Sequence, residues 1–165
     1  MADLRLLNPA SDREVVAKLL IRATDYVVLE TGLPPDAASV AAFFTDLPPG
    51  GRDGDQFRFA ILDRAGRVQG LAELARDYPQ TGIWYLGLLL LAPPARGRGL
   101  GQDALTRLMD WARARGAVDL RLAVLWDNAR GRAFWARNGF APLRVAPPAQ
   151  IGQRRHVRLV MQRKL

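Results

Sequence analysis

Cysteine is absent and histidine occurs once, at His156. Disulfides and thiolate metal sites are therefore excluded, and an imidazole metal centre has no second ligand, so no metal is expected. Lysine is confined to Lys18 and Lys164, and glutamate to Glu14, Glu30 and Glu73. Long hydrophobic runs are missing as well: the most apolar stretch, Ile83–Leu91, is far shorter than the roughly 20 residues that cross a bilayer as a helix. Met1–Glu14 carries charges and no long apolar region, unlike a secretory signal. The expectation is a soluble cytoplasmic protein with no membrane partner.

What is present is ordinary for a globular chain. At 165 residues, 49% hydrophobic and 24% charged, one domain spanning 1–165 with a sizeable core is expected. The net charge of +8 raises the question of nucleic acid. Apart from Arg154-Arg155 the arginines are scattered rather than clustered, which argues against that partner. Their abundance beside alanine, glycine and proline matches GC-rich coding.

Taken in order, Leu4–Leu7 predicts a short strand. Ser11 and Glu14 have the spacing of a capping box, and Val15, Val16, Leu19, Leu20, Ala23 and Val27 form the apolar stripe of one helix ending at Gly32. Pro34-Pro35-Asp36 starts a second helix through Val40, Phe43 and Phe44. Leu47–Asp55 is a loop. Phe57, Phe59 and Ile61 alternate with polar or small residues as a strand, Asp63–Gly66 is a hairpin turn, and Val68–Arg76 its partner strand. Ile83–Leu91, bounded by Pro93-Pro94, is a buried central strand. Leu100, Ala104, Leu105, Leu108, Trp111 and Ala112 recur at helical spacing, with Gly116 as terminator. Val118, Leu120, Leu122 and Val124 alternate in the clearest strand of the chain. Central strand, helix and strand form a β-α-β unit, hence a parallel pair with a right-handed crossover. Ala129–Arg137 is a further helix. Phe140–Val145 and Val157–Met161 are closing strands joined by a Pro/Gly-bearing loop, with His156 on their solvent face. The fold class is α+β with a mixed sheet.

Between the central strand and its helix lies Arg96-Gly97-Arg98-Gly99-Leu100-Gly101. Glycines there leave backbone N–H groups unobstructed at a helix N-terminus, where the dipole also favours an anion, typically phosphate. A P-loop needs Gly-Lys-Ser/Thr, which does not follow. A dinucleotide fingerprint needs a third glycine where Gln102 stands. The remaining pattern, Arg/Gln-x-x-Gly-x-Gly/Ala, is met by Arg96, Gly99 and Gly101, and a simple solvated turn is the alternative.

This loop, following a strand that ends in x-x-Pro, resembles the pyrophosphate loop of the GNAT family of N-acetyltransferases. A second motif agrees: Trp126-Asp127-Asn128 followed by Ala133–Phe140 is similar to the family's Asn-x-x-Ala/Gly…Tyr-x-x-x-Gly-Phe, with Trp135 at the tyrosine position. The resemblance is strong over Ile83–Phe140 and architectural before Phe57. It implies a GNAT-like, largely antiparallel mixed sheet with a central parallel pair splayed for CoA and about four helices. It implies acetyl-CoA as co-substrate, direct attack by a primary amine of a small molecule or peptide in a ternary complex, and the homodimerisation common in the family. Arg96, Gly97, Arg98, Gly99, Leu100, Gly101 and Gln102 would hold the pyrophosphate. Backbone groups of Leu89 and Leu91 would bind the pantetheine arm, and the N–H at Leu91 would polarise the thioester carbonyl. Asn128, which also suits a helix cap, would reach the pantetheine, and Phe134 and Trp135 would pack on the cofactor.

Two departures bear on catalysis. Tryptophan at 135 has an N–H but no proton to release, so the family's usual acid for the leaving thiolate is missing. Tyr85 stands where some relatives carry a glutamate base. Glu73 is the first candidate for that base and Tyr85 the second, with Tyr85 or water assisting the leaving group. Tyr26, Tyr78, Trp84 and Tyr85 are candidate acceptor-pocket aromatics. A non-catalytic CoA-binding domain is the alternative that these departures motivate.

Overall fold

The computed structural model describes residues 1–165. Seven strands, β1 Asp3–Leu6, β2 Gln56–Leu62, β3 Val68–Ala75, β4 Ile83–Leu91, β5 Asp119–Leu125, β6 Ala141–Ile151 and β7 Arg154–Lys164, form one sheet in the order β1-β2-β3-β4-β5-β7-β6. Every neighbouring pair is antiparallel except the central β4–β5, as the β-α-β pattern requires. The helices are α1 Arg13–Arg22, α2 Thr24–Thr31, α3 Ala37–Thr45, α4 Leu100–Arg113 and α5 Ala129–Arg137.

Five helices stand where about four are expected because the Val15–Val27 stripe breaks at Ala23. There the Thr24 hydroxyl donates to the Ile21 carbonyl at 2.7 Å, a local bond that competes with helix continuation. The capping box expected at Ser11 and Glu14 does not form. Asp12 occupies the cap position of α1 without capping it, because its carboxylate accepts from Arg5 at 3.0 and 3.1 Å and from the Asn8 N–H at 2.8 Å. Glu14 instead pairs with Lys18, one turn on. The true capping box is Asp36 with Ser39 at the start of α3.

Alternation gives the sheet two faces. Trp84, Leu86, Leu120, Leu122 and Met161 pack with Ala104, Leu105, Leu108 and Ala112 of α4. Leu71 and Leu90 on the other face pack with Val16, Leu19, Phe43 and Phe44 of α1 and α3. Full burial of one such leucine-sized side chain is worth about 1.5–3 kcal/mol, so each helix layer is held chiefly by these apolar contacts.

The C-terminal segment departs most from expectation. The supposed loop is largely strand, since β6 runs through Pro147-Pro148 to Ile151 and β7 begins at Arg154. Proline is tolerated there because β6 is an edge strand with a bulge between Ala146 and Ala149. The hairpin tip leans on the end of α2: the Gln153 N–H donates to the Thr31 carbonyl at 2.8 Å. At Gly152 (φ +56°) a Cβ would fall 2.6 Å from that carbonyl oxygen. His156 is therefore not on a solvent face. It is buried, with Nε2 2.8 Å from the Glu30 carbonyl oxygen, because α2 covers the face that alternation assigns to it.

The site depends on one irregularity. β3 pairs Glu73 with Leu88 and Leu74 with Leu86, so Gly87 is an extra residue, a bulge that bends its strand. Beside it, β4 and β5 pair only over Ile83–Tyr85 and Asp119–Arg121. Beyond Tyr85 the two strands part.

Candidate active site

A cleft of about 940 Å³ opens where β4 and β5 separate. Leu86–Leu91 form one wall and Leu122, Ala123 and Val124 the other; α2 contributes Asp25, Tyr26 and Leu29. Antiparallel ladders alternate the residues that bond to the neighbouring strand. The Ala92 N–H donates to the Gln69 carbonyl on the β3 side at 2.9 Å, so Leu90 and Leu88 also face β3. The N–H and C=O groups of Leu89 and Leu91 consequently aim across the gap toward β5, with the Leu91 carbonyl taken by Arg96 Nε at 2.8 Å.

At one end of the cleft the chain turns into α4. Backbone N–H groups from Gly97 through Gln102 make no hydrogen bond within the protein; the first bonded amide after them is Asp103, to the Gly99 carbonyl at 3.0 Å. Gly97 and Gly99 have φ of +72° and +82°, and a Cβ on either would meet nothing within 4 Å. Glycine is thus needed for conformation, and the concavity is open. Gly97, Gly99, Gly101 and Gln102 line it, as does Arg96.

Three residues of this loop sit differently from expectation. Arg96 is not a free cation: its guanidinium grips Asp25 of α2 with both Nη atoms. That contact is the leading cause holding the Asp25 carboxyl below its ordinary range. Arg98 is exposed and outside the cleft lining, and Leu100 is buried in the core beneath α4; only their backbone N–H groups are available to the loop.

Asn128, Phe134 and Trp135 all line the cleft. The Asn128 carboxamide oxygen caps α5 by accepting from the Gly131 N–H at 2.9 Å, leaving its amide NH₂ uncommitted. Phe134 lies 3.7 Å from a Cβ position on Gly101. Trp135 is also a core residue, in edge contact with Phe134 and Phe140 at centroid distances of 4.9 and 5.4 Å.

The other end is acidic. Glu73 projects from β3 over the bulge: a Cβ built on Gly87 would lie 3.8 Å from Glu73 Cβ and 4.0 Å from Oε2. Glu73 is not itself in the cleft wall, but Gly87 is. Burial pushes its carboxyl up to about 7 against the opposing pull of Arg58, whose Nε lies 3.2 Å from Oε1. Arg58 is buried and further anchored to the Phe43 and Asp46 carbonyls. Glu30 on α2 is likewise raised by burial, with the Tyr26 hydroxyl 3.5 Å away. Tyr85 meets Tyr78 edge-on at 5.5 Å, and burial raises its hydroxyl.

Trp84 does not belong to this group. It is fully buried on the α4 side of the sheet, stacked on Phe57 at 5.7 Å, because adjacent residues of a strand face opposite ways. Arg58 is the functional candidate that sequence reasoning missed. Counting back from the hairpin turn sets it opposite Ala72, and only the bulge at Ile61/Leu62 moves it opposite Glu73. An arginine between Phe57 and Phe59 was the available signal.

Comparison with known proteins agrees with this geometry. A sequence model of the acetyltransferase (GNAT) family matches residues 19–140. Mycothiol acetyltransferase of Beutenbergia cavernae is 39% identical over 82 residues, 50% of this chain and 27% of that protein. An IAA acetyltransferase of Azospirillum brasilense is 33% identical over 84 residues, 51% of this chain and 54% of that one. The aligned part thus spans about a quarter to a half of these relatives. Among solved structures, an acetyltransferase from Thermus thermophilus superposes with a TM-score of 0.79 at 23% identity over 100% of this chain and 97% of that chain. The ribosomal-protein-S18-alanine N-acetyltransferase of Escherichia coli gives 0.71 at 18% identity over 99% and 94%.

Proposed function

The chain belongs to the acetyltransferase (GNAT) family, and from that premise we propose that it transfers an acetyl group from acetyl-CoA to a primary amine, by direct attack with both substrates bound. The observation that carries this is the parting of β4 from β5 at Gly87, next to six consecutive unpartnered N–H groups. A pyrophosphate suits such a row of donors at a helix N-terminus. An amide-bearing arm suits the strand-like edge offered by Leu89 and Leu91. The residues present therefore fit CoA, which supplies the acetyl group as an activated thioester.

The chain's own groups divide the work. N–H groups of Gly97–Gln102 hold the pyrophosphate, with Arg96 bracing the start of the loop between Asp25 and the Leu91 carbonyl. The Asn128 amide and the Leu89 backbone orient the arm, and Phe134 and Trp135 close it from water. The Leu91 N–H lies at the gap, where a fixed donor stabilises negative charge developing on a carbonyl oxygen. Glu73 accepts the proton of the incoming ammonium. A carboxyl at about 7 is ionised in half of the molecules near neutrality, which is the range in which a general base is most effective. Tyr85 stands on the same face but six strand residues from Leu91, so the thiolate leaves to water, its ordinary pKa near ~8.5 making the demand on an acid small. The acceptor is a small molecule or peptide amine.

Acetyl-CoA-dependent release of free thiol with a panel of primary amines tests the assignment. Turnover with at least one amine is expected. CoA binding measured by calorimetry without turnover of any amine would overturn it.

A further inference from the structure

The face that carries Glu73 continues across β4 onto β5, β7 and β6. Ala75, two residues from Glu73, sits opposite Tyr85. Tyr85, Arg121 and Gln162 then form one row of the register. Ala123, Val160 and Arg144 form the next on that face, and Leu125, Arg158 and Ala146 the one after. Period-two alternation turns all of these side chains to the Glu73 side.

The rows bring arginines without carboxylates. Arg121 donates to Gln162 Oε1 at 2.8 Å. Arg144 and Arg158 enter no ion pair and no side-chain hydrogen bond, and the Arg158 Nε is fully buried without an acceptor. A buried donor left unpaired is costly, more so on a charged group, and Arg58 on the same face shows the usual remedy in its contact with Glu73. Both guanidinium groups act on the Tyr85 hydroxyl, pulling it down against the larger effect of burial, so Tyr85 lies within their electrostatic reach. The acidic bank is Glu73 on β3, across β4 from these arginines; Glu30 belongs to α2, with its carbonyl against His156 of β7.

A ligand complementary to both banks has a cation at one end and an anion at the other. Resting on the transferase reading above, we infer that the acceptor is a zwitterionic, amino-acid-like amine: Arg158, with Arg144 at the rim, binds its carboxylate, while Glu73 receives its ammonium group. A guanidinium fork matches a carboxylate in a way that a simple amine substrate would leave unused.

The test is the ratio of kcat/KM for an amino acid to that for its carboxamide, across a panel of side chains, with the matching aminophosphonates as a further arm. A preference for the carboxylate of roughly tenfold to a hundredfold is expected. Arg158→Gln should collapse that ratio toward one through KM for the acid. Arg144→Gln, at an exposed position, should lower it partially and serves if the variant at half-buried Arg158 does not fold. Equal rates on acid and amide, or a ratio unmoved by either substitution, would overturn the inference while leaving the transferase intact. Preference for the phosphonate would overturn the carboxylate assignment. No turnover of any amine would overturn the transferase reading and this inference with it.

Discussion

Replacing Glu73 with glutamine isolates proton transfer, because it keeps the size of the side chain and removes its basicity. The wild-type carboxyl titrates at about 7, and an alkyl ammonium at roughly 10.4. If Glu73 is the base, kcat/KM expressed per total amine climbs about tenfold per pH unit up to about 7, then stays level until about 10. The variant can use only amine that is already neutral, about one molecule in 10³ at pH near 7.4. Its kcat/KM should therefore fall by about that factor, within the 10²–10⁴ range typical of general bases, and keep rising with no break near 7. Arg58 supplies an internal control. Losing the guanidinium 3.2 Å from Oε1 removes the pull that lowers Glu73, so Arg58→Gln should move the break upward by roughly one to three units. Stopped-time thiol assays between about pH 5.5 and 10 read both effects, with thermal unfolding confirming that each variant is folded. A Glu73→Gln enzyme that retains the break near 7, or an Arg58→Gln enzyme whose break moves down, refutes the assignment.

The same carboxyl has a stability signature. Its folded pKa lies above the ordinary 4.5, so the folded state binds more protons than the unfolded between about 4.5 and 7, and stability falls as pH rises through that window. Urea titrations at either end should differ by up to about 3 kcal/mol, and Glu73→Gln should remove most of the difference. Arg96→Met should raise KM for acetyl-CoA about tenfold, because it leaves the Asp25 carboxylate unneutralised beside the anion loop, whereas Asp25→Asn, which releases Arg96 from its ion pair, should lower it; equal KM in both variants would show that the pair is inert. Trp135→Ala, by opening a cavity among Phe134, Phe140 and the core, should cost about 3–5 kcal/mol in denaturant unfolding. A loss under 1 kcal/mol would make Trp135 a cleft residue only.

Strong local signals were legible in the chain. Ile83–Leu91 reads as a strand because prolines bar its continuation, and Leu100–Ala112 as a helix because its apolar residues repeat at one spacing; both were found with nearly those bounds. Asn128 and the loop glycines were legible since caps and left-handed turns demand particular residue types. What failed needed long-range information. Asp12 is drawn off its cap by Arg5, His156 is buried by α2, and Pro147-Pro148 sits in a strand because that strand is an edge. Glu73 could be singled out among so few glutamates, but its partner Arg58 depends on a register shift with no sequence signature of its own.

Strand alternation counts in twos, and Gly87 is a single added step in that count. A chain shortened by this one residue could hydrogen-bond β4 to β3 without interruption, its following leucines keeping the faces they now occupy. The separation from β5 therefore rests on the bend made by one inserted residue rather than on any side chain, which is how a run of leucines can frame a polar reaction. Substitutions along Leu88–Leu91 preserve the count and should leave the opening in place. Deletion of Gly87 should zip the parallel pair shut and abolish CoA binding in a protein that still folds, an outcome that calorimetry and circular dichroism together can read.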